Sequence, residues 1–325
     1  MEKIKKLWQN EYFKTAISIL LVILLFLIFW YGSIAYFNTE SPYLVVSSGS
    51  MRPTLEVGDL IIVKWVPPSQ LHAAPLNGDI IVYKSDEGDL RVHRLIKIVP
   101  SDKGGYLLTT KGDANDRPLP DEINFSDKRY VGKIIARIPF IGHISLFTHT
   151  KQGFYFFLFV IICLIIIFML FPSEKEKHNE EKDKKKEKKG ISSKVLNFNF
   201  IAFLVLNILI LGFLIFSLWG TFSFWQPGAE RDFQWVTIRG MYPDLEFHKN
   251  FTKSYLPKVE ETILQMGFFT YKIDCRMDNG EIRTGAPTFS WAQFSILLLV
   301  LVNVWILIKY LTSKKTSVPE RKSEI

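Results

Sequence analysis

Four stretches of the chain carry no Asp, Glu, Lys or Arg: Thr15–Thr39, Gln152–Ser173, Val195–Ala229 and Thr284–Ile308. Each is at least as long as the roughly 20 apolar residues that a bilayer-spanning helix needs. They predict transmembrane helices at 15–39, 152–173, 195–219 and 292–311. The third block outruns a span. Its end after Gly220 (TFSFWQPGA) predicts an interfacial or loop segment, with Trp219 and Trp225 at headgroup level. The first block is too long and uniform for the apolar core of a cleaved leader. It reads as a retained anchor.

Between the first two blocks the period changes. Short runs rich in Val, Ile and Tyr recur at Tyr43–Val46, Leu60–Val66, Ile80–Tyr83, Arg91–Ile98, Tyr106–Thr110 and Tyr130–Ile138. Turn signals such as Val57-Gly58-Asp59, Asn77-Gly78-Asp79 and Lys111-Gly112-Asp113 separate them. This pattern predicts an all-β unit over 40–151, a barrel or a coiled sheet. Segment 220–291 predicts a second, small α+β unit. Its expected strands are Asp232–Ile238 and Phe268–Cys275, and its expected helix is Pro257–Met266 with proline at the start. No chemistry stands out in it.

Charge fixes an expected orientation. The net charge is +8, but the lysines gather in the tail 1–14, the linker 174–194 and the tail 312–325, all beside apolar blocks. Anionic lipid headgroups fit that placement better than nucleic acid, for which no binding module is present. Four spans put the three basic segments on one side, the cytoplasm. The expected protein is therefore multi-pass, with both termini cytoplasmic and with 40–151 and 220–291 facing outward. Two sequons, Asn124-Phe125-Ser126 and Asn250-Phe251-Thr252, fall in those outer segments. Cys163 lies in an apolar block and Cys275 in an outer segment, so this topology forbids their pairing. Neither these cysteines nor the scattered histidines make a metal-ligand spacing, and no metal or cofactor is expected.

Three polar motifs carry candidate chemistry. Ser48-Gly49-Ser50-Met51-Arg52-Pro53-Thr54 follows a short apolar strand just outside the first span. A serine there needs a neighbouring base to become a nucleophile, and backbone N–H groups of such a turn can hold an oxyanion. Alone, the motif is equally a Ser/Gly loop closed by proline. Asp89-Leu90-Arg91-Val92-His93-Arg94-Leu95 puts Arg91, His93 and Leu95 on one strand face and Val92 and Arg94 on the other. Histidine suits general-base work near neutrality, though a lone strand histidine is more often structural. Thr110-Lys111-Gly112-Asp113-Ala114-Asn115-Asp116, followed by Pro120-Asp121, supplies carboxylates that could orient the histidine. Aspartate at a Gly-Asp turn is also common for local reasons alone.

The ordered set is more specific than its parts. Ser-Gly-Ser-Met-x-Pro-Thr, Gly-Asp, Val-His-Arg-Leu and Thr-Lys-Gly-Asp-Ala-Asn, just after an N-terminal anchor, resemble the signal peptidase I family over about residues 10–172. The likeness is to the archaeal and endoplasmic-reticulum type, in which histidine replaces the lysine base. Together with the four apolar blocks, the expected fold is a membrane protein with four transmembrane helices, an outward-facing all-β catalytic domain and a second small α+β outer domain. The likeness further implies a serine endopeptidase that removes signal peptides from preproteins. Ser50 matches the nucleophile, His93 the general base, Ser48 the hydroxyl that assists the oxyanion hole, and Asp113 the aspartate of the Gly-Asp motif. The family's next aspartate falls on Leu119 by one count and on Asp121 by another, with Asp116 a further contender. Met51 and Leu55 are expected as exposed apolar residues beside the site, against the outer membrane surface. Expected partners are preprotein signal peptides, membrane lipids and subunits of a secretion complex or translocon, in the cell membrane or the endoplasmic-reticulum membrane.

Two other readings fit parts of the chain. One is a catalytically inactive protein that only binds signal sequences; it has no need of a full Ser-His-carboxylate set. The other is an adaptor whose functional half is 191–311, outside the resemblance. Soluble self-cleaving repressors share related motifs, but the flanking spans argue against them.

Overall fold

The computed structural model describes residues 11–170, 192–228 and 234–316. Residues 1–10 of the basic tail, the charged run 174–190 and residues 317–325 lie outside the described residues. Six α-helices occur among those described: α1 (Glu11–Phe37), α2 (Gly142–Thr148), α3 (Lys151–Leu170), α4 (Ser192–Trp219), α5 (Met241–Asn250) and α6 (Trp291–Thr316). Three segments, Phe13–Phe37, Phe200–Trp219 and Trp291–Lys309, are long and apolar enough to cross a membrane. A fourth is reached if α2 and α3, bent by 102° at their junction, count as one span. Leu20, Ile28, Phe159, Ile208 and Trp305 are each more than half exposed. So much outward apolar surface suits lipid rather than water. Between α4 and α6, Asn303 Nδ2 donates to Asn207 Oδ1 at 2.7 Å, a polar tie of the kind that holds helices together in hydrocarbon.

The strands are β1 (Tyr43–Val45), β2 (Leu60–Lys64), β3 (Ile80–Lys84), β4 (Leu90–Pro100), β5 (Tyr106–Lys111), β6 (Phe125–Ser126), β7 (Tyr130–Ile138), β8 (Thr221–Trp225), β9 (Trp235–Arg239), β10 (Val259–Met266), β11 (Thr270–Met277), β12 (Ile282–Arg283) and β13 (Thr288–Phe289). All but β8 and β9 join one sheet with the main order β10-β11-β13-β7-β3-β4-β5-β6. β7 pairs with β3 along its first half and with β2 along its second. Register breaks at Val82/Tyr83 and Leu95/Lys97 add the local twist that curls the sheet. β3 is buried on both faces. Ile80 and Val82 pack with Met51, Leu55 and Val63, while Ile81 and Tyr83 pack with Leu95, Leu108 and Phe125. Sequence alternation predicted six of the seven strands of 40–151; it marked neither two-residue β6 nor α2.

Segment 220–291 departs from expectation in three ways. It is not a separate small unit, because β10 to β13 extend the sheet of the first half through the parallel pair Thr288↔Arg137. Val259–Met266 is a strand, not the helix expected over 257–266. Its glutamates, Leu264 and Gln265 favour helix, but Val259, Thr262 and Ile263 fit a ladder, and pairing with β11 along the whole strand decides. Thr221–Trp225 is a strand rather than a loop, paired with β9 and tied by the Ser223 and Thr237 hydroxyls at 2.9 Å. Here Phe222 and Phe224 alternate with Thr221 and Ser223 in a period of two.

Arg137 on β7 locks the two halves together. It is 5 % exposed. Its guanidinium lies 2.6 Å from Asp59 before β2 and 3.5 Å from Asp244 on α5. It also donates to the Thr54 carbonyl at 3.1 Å. Burial, opposed by Arg137, pushes the Asp59 carboxyl up to about 7. Removing the cation would strand two buried carboxylates. Arg137→Ala is therefore expected to cost about 3–5 kcal/mol of stability at pH ~8. The loss should shrink as pH falls and the carboxyls take up protons. Denaturant unfolding in detergent measures this, and an unchanged midpoint at both pH values would contradict it.

Candidate active site

Ser50 sits in the loop between β1 and β2. The loop coils tightly, with Arg52 N–H donating to Gly49 O at 3.1 Å and Leu55 N–H to Met51 O at 3.0 Å. Met51 and Leu55 are not the exposed membrane-facing residues expected. They are 1 % and 0 % exposed and pack into the core with Ile61 and Val63. Their burial holds the loop against the sheet, and they form the floor beneath Ser50. The loop is also tied on its open side, where Ala114 N–H donates to the Ser50 carbonyl at 2.8 Å.

His93 lies on β4, opposite Ile81 of β3, and is 4 % exposed. Its Nε2 is 2.9 Å from Ser50 Oγ. Its Nδ1 is hydrogen-bonded to Glu122 Oε1. Because a carboxylate only accepts, Nδ1 carries the proton, and in the neutral ring Nε2 then accepts from the serine hydroxyl. Glu122 closes a 3-10 turn over Pro120–Glu122 and has no exposed surface. The Tyr83 hydroxyl donates to Oε1 at 2.6 Å and Leu119 N–H to Oε2 at 2.7 Å. Burial opposes ionisation of Glu122, but the hydrogen bond from His93, the charge His93 carries when protonated, and the Tyr83 and Leu119 donors hold its carboxyl below the usual range. Burial and the neighbouring Glu122 raise the Tyr83 phenol, so it stays a donor.

None of the three aspartates expected as contenders beside His93 is there. Asp113 binds Arg94 through two bonds of 2.8 and 2.7 Å and accepts from Thr54 Oγ1 at 2.5 Å. Burial raises its carboxyl, but Arg94 and Thr54 overcome this and lower it. Arg94 donates onward to Gly78 O at 2.8 Å and Thr284 O at 3.0 Å. Asp121 accepts two bonds from Arg91 Nη1, at 2.9 and 2.7 Å. Asp116 is exposed on the loop after β5. Strand alternation explains the division: Arg91 and His93 reach the turn that carries Asp121 and Glu122, and Arg94 turns the other way to Asp113. A search for aspartate stops one residue short of the group that meets the imidazole.

Ser48 lines the same cleft, with its hydroxyl 3.3 Å from that of Ser50. The cleft is about 640 Å³ and opens between β1 and the start of β4, with Val45, Leu90, Val92 and Asn115 in its walls. Gly112 is required by close approach. A Cβ there would lie 2.7 Å from Ser50 O and 3.0 Å from His93 Nε2. Among the described residues no group of three or more His, Cys, Asp or Glu converges as a metal site. A serine hydroxyl bonded to a neutral imidazole, itself backed by a buried carboxylate, is an arrangement that can attack a carbonyl and stabilise the imidazolium that forms.

Comparison with known proteins agrees with this chemistry. A family model described as signal peptidase, peptidase S26, matches residues 10–117. The human signal peptidase complex catalytic subunit SEC11C is 32 % identical over 149 residues, which cover 44 % of this chain and 76 % of that protein. The signal peptidase complex catalytic subunit SEC11 of Lachancea thermotolerans is 35 % identical over 126 residues, covering 36 % and 72 %. The likeness thus takes in most of each relative, and with it the serine and histidine motifs that meet in the cleft: this chain belongs to the signal peptidase family, peptidase S26, and is a peptidase of the signal peptidase I type.

Proposed function

We propose that the protein is a membrane-bound serine endopeptidase that removes signal peptides from exported preproteins, with Ser50 as nucleophile, His93 as general base and Glu122 as the residue that orients His93. The observation that carries this reading is the 2.9 Å contact between Ser50 Oγ and His93 Nε2. His93 takes the serine proton as Oγ attacks the scissile carbonyl. Backbone N–H groups of the Ser50 turn, assisted by the Ser48 hydroxyl, receive the oxyanion. His93 then protonates the leaving amine, and water hydrolyses the acyl-enzyme by the same relay. Glu122 remains an anion throughout and balances the imidazolium. Asp113 and Asp121 take structural roles, through Arg94 and Arg91.

The four apolar blocks are read as four spans, with both termini cytoplasmic and the sheet on the outer face. The substrate's apolar segment lies in the same bilayer, and its cleavage site reaches the cleft as an extended chain beside a strand. The relatives are named as subunits of a signal peptidase complex, which supports membership of a secretion complex here. A purely binding protein would gain nothing from burying an ionised glutamate behind the histidine.

Ser50→Ala and His93→Ala should each lower kcat/KM for a model preprotein by at least about 10³-fold while the chains stay folded. Cleavage assays in detergent test this, and near-normal turnover by either variant would remove that residue from the mechanism.

Glu122→Gln should lower kcat by about 10²–10⁴-fold, because a neutral amide no longer selects the Nδ1–H tautomer. Asp121→Asn should stay within about tenfold. The pH profile separates the groups. The Glu122 carboxyl is held low, so it stays charged until the pH falls below the ordinary carboxylate range. Glu122 is therefore not the group whose protonation would shut activity off as the pH falls from neutrality. Full wild-type activity at about pH 4.5 would contradict a histidine base.

A further inference from the structure

We propose that a second groove beside the cleft is a subsite for the stretch of polypeptide that follows the scissile bond, and that its outer wall is supplied by the C-terminal half of the chain. This rests on the peptidase reading above. The groove, about 830 Å³, runs between Leu119, Pro120 and Ile123 on one side and Lys253, Ser254 and Tyr255 on the other. Asn115 and Leu119 line both this groove and the cleft that holds Ser50. A chain threaded past Ser50 therefore passes from one to the other without a break.

The direction of threading follows from the anchor. Val45–Ser48 line the cleft but not the groove, and this end of the cleft continues from β1. Tyr43 of β1 packs on Phe29, Trp30 and Phe37 of α1, with ring centroids 6.0–6.2 Å apart. That end is therefore fixed to an apolar helix. A substrate whose own apolar segment lies in the bilayer enters there, so residues before the bond lie along Val45–Ser48. Residues after it are delivered toward Asn115 and Leu119.

The outer wall is joined to the loop that holds the serine. The Tyr255 hydroxyl donates to the Ala114 carbonyl, while Ala114 N–H holds Ser50 O at 2.8 Å. Lys111 Nζ lies 5.5 Å from the Tyr255 ring centroid and donates to Asn115 O at 2.8 Å. Leu119, Ile123 and Tyr255 still leave 39 %, 52 % and 37 % of their surface open. An apolar side chain shortly after the cleavage point would cover them. The ligand class is thus an extended polypeptide, favoured when its second residue after the bond is apolar.

Two measurements on the full chain in detergent test the proposal. In the first, the Ser50→Ala chain is mixed with a preprotein carrying a benzophenone side chain either two residues after the bond or three before it, and photo-crosslinks are mapped by mass spectrometry. The downstream probe should mark 114–123 or 253–255, and the upstream probe 45–48. In the second, kcat/KM is compared for preproteins with Leu or Gly two residues after the bond. The native chain should prefer Leu by about five- to tenfold, and Ile123→Asp and Tyr255→Ala should each bring that ratio close to one. Downstream crosslinks elsewhere, or a ratio unmoved by both substitutions, would overturn the proposal. If the upstream probe also misses the Ser50 cleft, the peptidase reading itself fails.

Discussion

A carboxylate with no exposed surface must be matched donor by donor, and Glu122 meets that condition in a way that organises the site. Its two oxygens take the His93 imidazole, the Tyr83 phenol and the Leu119 backbone N–H. Those donors come from β4, β3 and the 3-10 turn itself. Losing any one would leave a buried charge short of a partner, which costs about 1–3 kcal/mol or more for a charged group. Satisfying Glu122 therefore fixes the ring plane of His93, the docking of the turn on the sheet and the direction in which Nε2 points. Ser50 lies in that direction.

The other charges are sorted by the pleat of β4. Arg91 and His93 meet Asp121 and Glu122 on one face, and Arg94 meets Asp113 on the other. Arg94 also reaches Thr284 O in the C-terminal half, and Arg137 does the same through Asp244. The halves are therefore joined twice behind the site by buried guanidinium groups. Buried ion pairs add little net stability, but breaking one is expensive. This makes the junction a constraint on geometry more than a source of strength, and it explains how a segment beyond the family match can bear on the serine loop.

Much of this was legible in the sequence. The apolar blocks and six of the seven strands of 40–151 follow from periodicity, and the serine and histidine that meet in the cleft from an ordered motif set that resembles a known family. The orienting carboxylate did not. Asp113, Asp116 and Asp121 drew attention as aspartates, yet only a fold shows that Arg94 and Arg91 claim two of them and leave Glu122 for His93. The exposure expected for Met51 and Leu55 failed because the loop turns them inward onto β2 and β3. The helix expected at 257–266 failed because ladder pairing with a distant strand outweighed local propensity. Thr288 beside Arg137, which merges the two halves into one sheet, is a long-range contact that no local pattern encodes.

The central claim is that Glu122 makes His93 a base for Ser50. Its most direct test is the rate at which a serine-directed fluorophosphonate acylates Ser50 at neutral pH, with the modified residue located by mass spectrometry. The account predicts labelling at Ser50 alone, abolished in His93→Ala and slowed by about 10²-fold or more in Glu122→Gln. Labelling of Glu122→Gln at the native rate, or modification of another serine in its place, would contradict it.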